Sequence, residues 1–136
     1  VPALAVARGT PVDAVVAVEG AGASRCFADR VIVDLVGLND HALVHHPLGG
    51  TAHLCHLLRV RRPTWFVLPS SWVPRFAPAW RFVVRASFRR DHYAQVDPPA
   101  RREVLMLQAE ARPEALARCG LLSAPSGAAP APPTAP

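Results

Sequence analysis

The chain has 136 residues, of which 51% are hydrophobic and only 18% charged. This is one domain's worth of sequence, enough to bury a single core and too apolar for a disordered, solvating chain. The net charge of +5 comes from fifteen arginines with no lysine. They are scattered, and the denser groups (Arg59-Val-Arg61-Arg62, Arg89-Arg90 and Arg101-Arg102) fall at predicted element boundaries, so no nucleic-acid partner is expected. No window approaches the roughly 20 apolar residues that a bilayer-spanning helix needs.

In chain order, Val1–Ala7 has neither an initiating Met nor the basic start of a signal peptide. It fits the end of a helix begun upstream, so the chain is expected to be a fragment of a longer protein. Leu4–Arg8 reads as helix, broken by Gly9-Thr-Pro11, and Asp13–Glu19 as a buried strand. The turn Gly20-Ala-Gly22 leads to a short helix over Ala23–Ala28. Arg30–Leu35 is a second strand, with β-branched Val31, Ile32 and Val33. Asp40 is a good N-cap for a short helix, His41–His46, which Pro47 and Gly49-Gly50 end. Ala52–Arg61 carries Leu54, Leu57, Leu58 and Val60, the spacing of an amphipathic helix stopping before Pro63. Thr64–Leu68 is a third strand.

Beyond Pro69 the pattern changes. Ser70–Trp80 is a loop or short helix, and Arg81–Arg90 suits a helix end or an edge strand equally. Tyr93–Val96 and Glu103–Gln108 read as a strand pair around Asp97-Pro-Pro99. Residues 1–122 are thus expected to form one soluble α/β domain, and 123–136, almost all Ala and Pro, a disordered tail. The β-α-β-α-α-β run predicts a three-layer, mainly parallel, Rossmann-like sheet with an antiparallel C-terminal edge.

The chemistry-bearing motifs are few. Gly20-x-Gly22 lacks the third glycine of a dinucleotide loop, Arg25 standing in its place, so the glycines read as turn formers. His45, His46, His53, Cys55 and His56 match no common zinc spacing and read as surface or capping residues. No nucleophile elbow or P-loop occurs. Neither metal nor cofactor is expected. Three cysteines, without paired spacing, form no disulfide framework. One bridge would suit an oxidising compartment, but nothing selects the pair, and Cys26 and Cys55 are expected to be buried thiols. What remains is a polar corner, Asp34, Asn39, Asp40 and His45, at the C-terminal end of the second strand, where open α/β sheets place their ligands. Asp34 and Asp40 could serve acid–base work or act as a strand-end hydrogen bond and a helix cap.

The run Gly22-Ala23, Phe27, Asp29-Arg30-Val-Ile-Val-Asp34-Leu-Val-Gly37-Leu38-Asn39-Asp40-His41 and His45, followed by Arg61-Arg62-Pro63 before a strand, resembles a recurring stretch in bacterial integral-membrane glycosyltransferases. These belong to the polyprenyl-phosphate-sugar-dependent, mannosyltransferase-like GT-C superfamily. The resemblance spans about Val12 to Gln108, and departs at Ser24-Arg25-Cys26 and at Thr64. It implies an accessory soluble domain on the extracytoplasmic (periplasmic) face of the inner membrane, attached to a membrane-embedded remainder of the same polypeptide. It also implies a glycan or lipid-linked acceptor, with the catalytic acid lying in the membrane part. The isolated chain would then be inactive, with the corner serving acceptor binding or stability. The alternatives are a free-standing Rossmann-like ligand-binding module and, behind it, an arginine-rich nucleic-acid-binding domain.

Overall fold

A computed structural model describes residues 2–37, 40–90 and 102–122. Tyr93–Val96, Asn39 and the 123–136 tail lie outside the described residues. Helix α1 (Pro2–Gly9) precedes β1 (Val15–Val18), α2 (Gly22–Phe27), β2 (Val31–Asp34) and α3 (His41–Val44). Helix α4 (Thr51–His56) runs into a π-helical turn, Leu57–Arg61, and then β3 (Trp65–Pro69). A 3₁₀ turn (Ser70–Trp72), α5 (Val73–Phe76), β4 (Trp80–Arg89), β5 (Glu103–Ala111) and α6 (Pro113–Arg118) complete the described elements.

The five strands form one sheet in the order β2-β1-β3-β5-β4. Segments Val15–Val18, Val31–Asp34 and Trp65–Pro69 are adjacent and parallel. Strand β5 then lies antiparallel beside β3, and β4 antiparallel beside β5. This overturns the expectation of a three-layer, mainly parallel Rossmann-like domain. The sheet is mixed, and most of its paired residues are antiparallel. The parallel strands are four or five residues long, whereas β4 and β5 have ten and nine and pair almost end to end. The expected antiparallel partner of 103–108 is also corrected, since Trp80–Arg89 takes that place.

Side chains alternate across the strands and feed two cores. On one face Ala17, Val33, Phe66, Leu68 and Leu107 meet Leu43, Leu54, Leu57 and Phe76 from the short helices. On the other, Val16, Val18, Ile32, Trp65, Val67 and Met106 meet Val6 of α1 and the alanines flanking α2. The Phe66 ring organises the first core, with Trp80, Phe82 and Phe76 centred 5.0, 5.2 and 5.5 Å away. Burial of such rings, offset or edge-on, is the largest apolar contribution available to a domain of this size.

A bulge between Val84 and Ala86 explains why 81–90 resisted assignment. Before it, Trp80 and Phe82 pack with the first core; after it, Ala86 and Phe88 pack with the second. The extra residue shifts the alternation by one, which erases the period-2 signal of a strand.

The helix expected over Ala52–Arg61 changes register partway. After His56 it widens to a π turn, and Arg62 (φ +50°) closes it by donating its backbone N–H to the Leu57 carbonyl, 2.6 Å away. Pro63, which follows, prevents the helix from continuing.

Cys55 of α4 is bonded to Cys119, just past α6, across 64 positions of sequence. The expectation of buried thiols at Cys26 and Cys55 is therefore corrected: Cys55 is oxidised and Cys26 is exposed. Arginines tie other distant segments together. Arg30 donates to the carbonyls of Ala7 and Thr10 at the end of α1, both at 2.9 Å. Arg59 donates to Cys119 O at 2.6 Å, and Arg112 to Ala77 O at 2.8 Å. A guanidinium suits such otherwise orphaned carbonyls because its charge strengthens each bond. Among the described residues, no helix is long and apolar enough to cross a membrane.

Candidate functional site

The corner at the end of β2 is shaped by tight local hydrogen bonding. Asp34 accepts the Val36 N–H at 3.2 Å, and its own carbonyl accepts the Gly37 N–H at 3.2 Å. Gly37 sits at φ +82°, and a Cβ there would stand 2.5 Å from the Val44 nitrogen. Only glycine permits this approach of the β2 end to α3. The turn delivers Asp40, whose Oδ1 accepts the Ala42 N–H at 3.2 Å and so caps α3. Its Oδ2 lies 2.7 Å from the Arg61 guanidinium on the π turn.

Asp34 and Asp40 are both buried, yet both reach a small cavity of about 160 Å³ with Arg25, Ile32, Val60 and Arg61 on its walls. The lining pairs two carboxylates with two guanidiniums, so its formal charge balances. Arg61 is engaged by Asp40; the Arg25 side chain makes no hydrogen bond or ion pair among the described residues. Such a lining offers acceptors and donors side by side, which is the chemistry of binding a hydroxylated neutral ligand.

The other two expected members are placed differently. Asn39 lies outside the described residues. His45, at the C-cap of α3, is exposed and stacks on His41 with ring centres 5.7 Å apart; it is not on the cavity wall.

His53, expected to be a surface or capping residue, is a buried polar residue that sequence reasoning missed. It is fully buried beneath the corner. One ring nitrogen, Nε2, lies 3.0 Å from the Leu35 carbonyl; the other, Nδ1, accepts the Gly49 N–H at 3.4 Å. The second contact leaves Nδ1 without a proton and assigns the hydrogen to Nε2, which donates to Leu35. Burial lowers the His53 pKa below its ordinary value; the Leu35 carbonyl opposes this, and the nearby His46 and His56 add to the lowering. Burial thus favours the neutral ring, whose two contacts fix α4 to the end of β2. Its signal was its spacing, one helical turn before the buried Leu57. Among the described residues, no three His, Cys, Asp or Glu side chains group to hold a metal ion.

The model of a domain of unknown function, DUF8728, matches residues 3–110, and the chain belongs to this family. No curated protein and no solved structure matches it.

Proposed function

We propose that this chain is an accessory extracytoplasmic domain of a membrane glycosyltransferase, with the β2 corner on the acceptor side and catalysis in the membrane-embedded part. The parent would transfer a sugar from a polyprenyl-phosphate donor to an extracytoplasmic hydroxyl. The observation that carries the reading is the Cys55–Cys119 disulfide, because such bonds persist in oxidising compartments and are rare in the cytosol. It joins the resemblance of the 22–45 and 61–68 motifs to the GT-C enzymes, and together they support an extracytoplasmic location. The charge-balanced corner cavity supports the acceptor role, since a neutral polyol can hydrogen-bond to its carboxylates and guanidiniums without bringing in a further charge. The chemistry itself needs a base at the acceptor hydroxyl and a clamp on the leaving phosphate. Both buried carboxylates already hold backbone N–H groups, and Asp40 holds Arg61 as well, which suits them to positioning.

The experiment follows labelled sugar from polyprenyl-phosphate donors in two preparations: membranes carrying the whole natural protein, and the purified 136-residue chain. The reading expects transfer by the membranes and none by the chain. Turnover by the chain alone, abolished in Asp40→Asn, would contradict it and put catalysis at the end of β2. Membranes inactive with every polyprenyl-phosphate sugar would contradict it as well.

A further inference from the structure

A second, larger cavity lies away from the β2 corner, at the other end of the first core. It is open on one side and has a volume of about 490 Å³, within the range of roughly 300–1,000 Å³ typical of small-molecule sites. Leu58, Trp80, Leu116 and Leu121 give it apolar walls, and Arg62 and Thr64 stand at its polar side.

The charge of this cavity is one-sided. Ala109 and Ala111 pack toward the first core, so by strand alternation the intervening Glu110 touches the cavity through its backbone. Its side chain projects from the opposite face, in register with Arg81. Thr64 precedes Trp65, which packs in the second core, and so shares the face of Phe66 and the cavity. Its backbone is held on both sides, by Val15 O and by the Ala109 N–H. Among the described residues Arg62 is then the one charged side chain on the wall, and its guanidinium, unlike its backbone N–H, makes no hydrogen bond or ion pair there.

The backbone supplies an independent observation. Arg62 occupies the left-handed region at φ +50°, where a residue with a Cβ is uncommon and costs free energy. It does so at the end of a π turn, a feature frequent at functional sites. Glycine would relieve the strain; an arginine there instead puts an exposed, charged residue at the rim of an apolar cavity.

We infer that this cavity binds a free, single-chain anionic amphiphile, its apolar chain between Leu58, Trp80 and Leu116 and its carboxylate on the Arg62 guanidinium and Thr64 hydroxyl. A carboxylate on a guanidinium forms charge-assisted hydrogen bonds, and the apolar walls recover the hydration cost of the chain. This inference does not depend on the glycosyltransferase reading.

The test is an NMR titration of the full 136-residue chain with decanoate, with decanol as the uncharged control. Decanoate is expected to shift the Leu58, Trp80 and Leu116 signals and to bind about tenfold or more tightly than decanol. Arg62→Gly keeps the left-handed turn and removes the charge, so it should erase that preference, whereas Arg62→Lys should largely retain it. Equal binding of the two probes, or a preference unchanged in Arg62→Gly, would overturn the inference. So would binding only after residues 123–136 are deleted, which would give the cavity to the chain's own C-terminal segment. Adsorption to phosphatidylglycerol vesicles without binding of monomeric decanoate would assign it to a membrane surface and overturn it too.

Discussion

The two halves of the sheet are held by different chemistry. Around β1 and β2 the strands are four residues long and their joints are polar: Arg30 on the carbonyls of α1, Asp34 and Asp40 in the corner, His53 beneath it. Around β4 and β5 the strands are long, and the joints are the Phe66–Trp80–Phe82 cluster and a disulfide. The first half spends its contacts on fixing turn geometry, and the second on apolar burial. Mutations should therefore separate the halves by size of effect and by sensitivity to pH.

The largest effect is expected at Phe66, fully buried at the centre of the aromatic cluster. Phe66→Ala should cost about 3–5 kcal/mol, a large part of the stability of a domain of this size, measured by urea unfolding. A cost under about 1 kcal/mol would show that the antiparallel half does not carry the core.

Next comes the disulfide. Cys119→Ser frees a bridge that spans 64 positions and should cost about 2–4 kcal/mol in the same assay. Added reductant should destabilise the unmodified chain similarly while leaving Cys119→Ser unmoved.

In the polar half the effects are smaller. Asp40→Ala removes the α3 cap and should cost about 1 kcal/mol. The Arg61 pair adds little because that side chain is 42% exposed. Asp40→Asn keeps a capping oxygen and should recover most of the loss. If alanine and asparagine cost the same, the ion pair rather than the cap matters, and this part of the comparison fails.

The smallest effect concerns pH. A histidine whose pKa is lowered by folding binds its proton more readily when unfolded. His53 therefore adds stability that is fully present above about pH 6.5, its unfolded value, and is lost as pH falls toward its lower folded value. Stability should decline in that acid window, and His53→Gln, which can still donate to Leu35, should flatten the decline. An unchanged slope in His53→Gln would move the pH dependence to other groups.

Legibility in the sequence follows the same division. β1, β2 and β3 could be read from Val15–Val18, Val31–Val33 and Trp65–Leu68 because their neighbours in space follow short crossovers and their patterns are local. The Asp40 cap was legible for the same reason. The sheet type was not, because β5 inserts beside β3 and the long β4–β5 ladder then outweighs the parallel strands. β4 hid behind its bulge, where the periodicity changes face within one strand. The Cys55–Cys119 pair depends on α4 and α6 meeting, which no local spacing encodes. Helix α6 itself carried a readable signal, with Pro113 at its start, Glu114 in its first turn and Gly120 beyond its end. Of the expected corner, Asp34 and Asp40 share a cavity wall, while His45 faces solvent because α3 is a single turn and ends before it.

The central claim is the compartment, and the three cysteines test it directly. Intact cells carrying the whole natural protein are treated with a membrane-impermeant maleimide, and the protein is digested without reduction for mass spectrometry. The account predicts that Cys26, exposed and free, is labelled from outside, and that Cys55 and Cys119 are recovered as one disulfide-linked peptide pair. Labelling of Cys26 only after lysis, with Cys55 and Cys119 recovered as free thiols, would contradict it and place the domain in the cytoplasm.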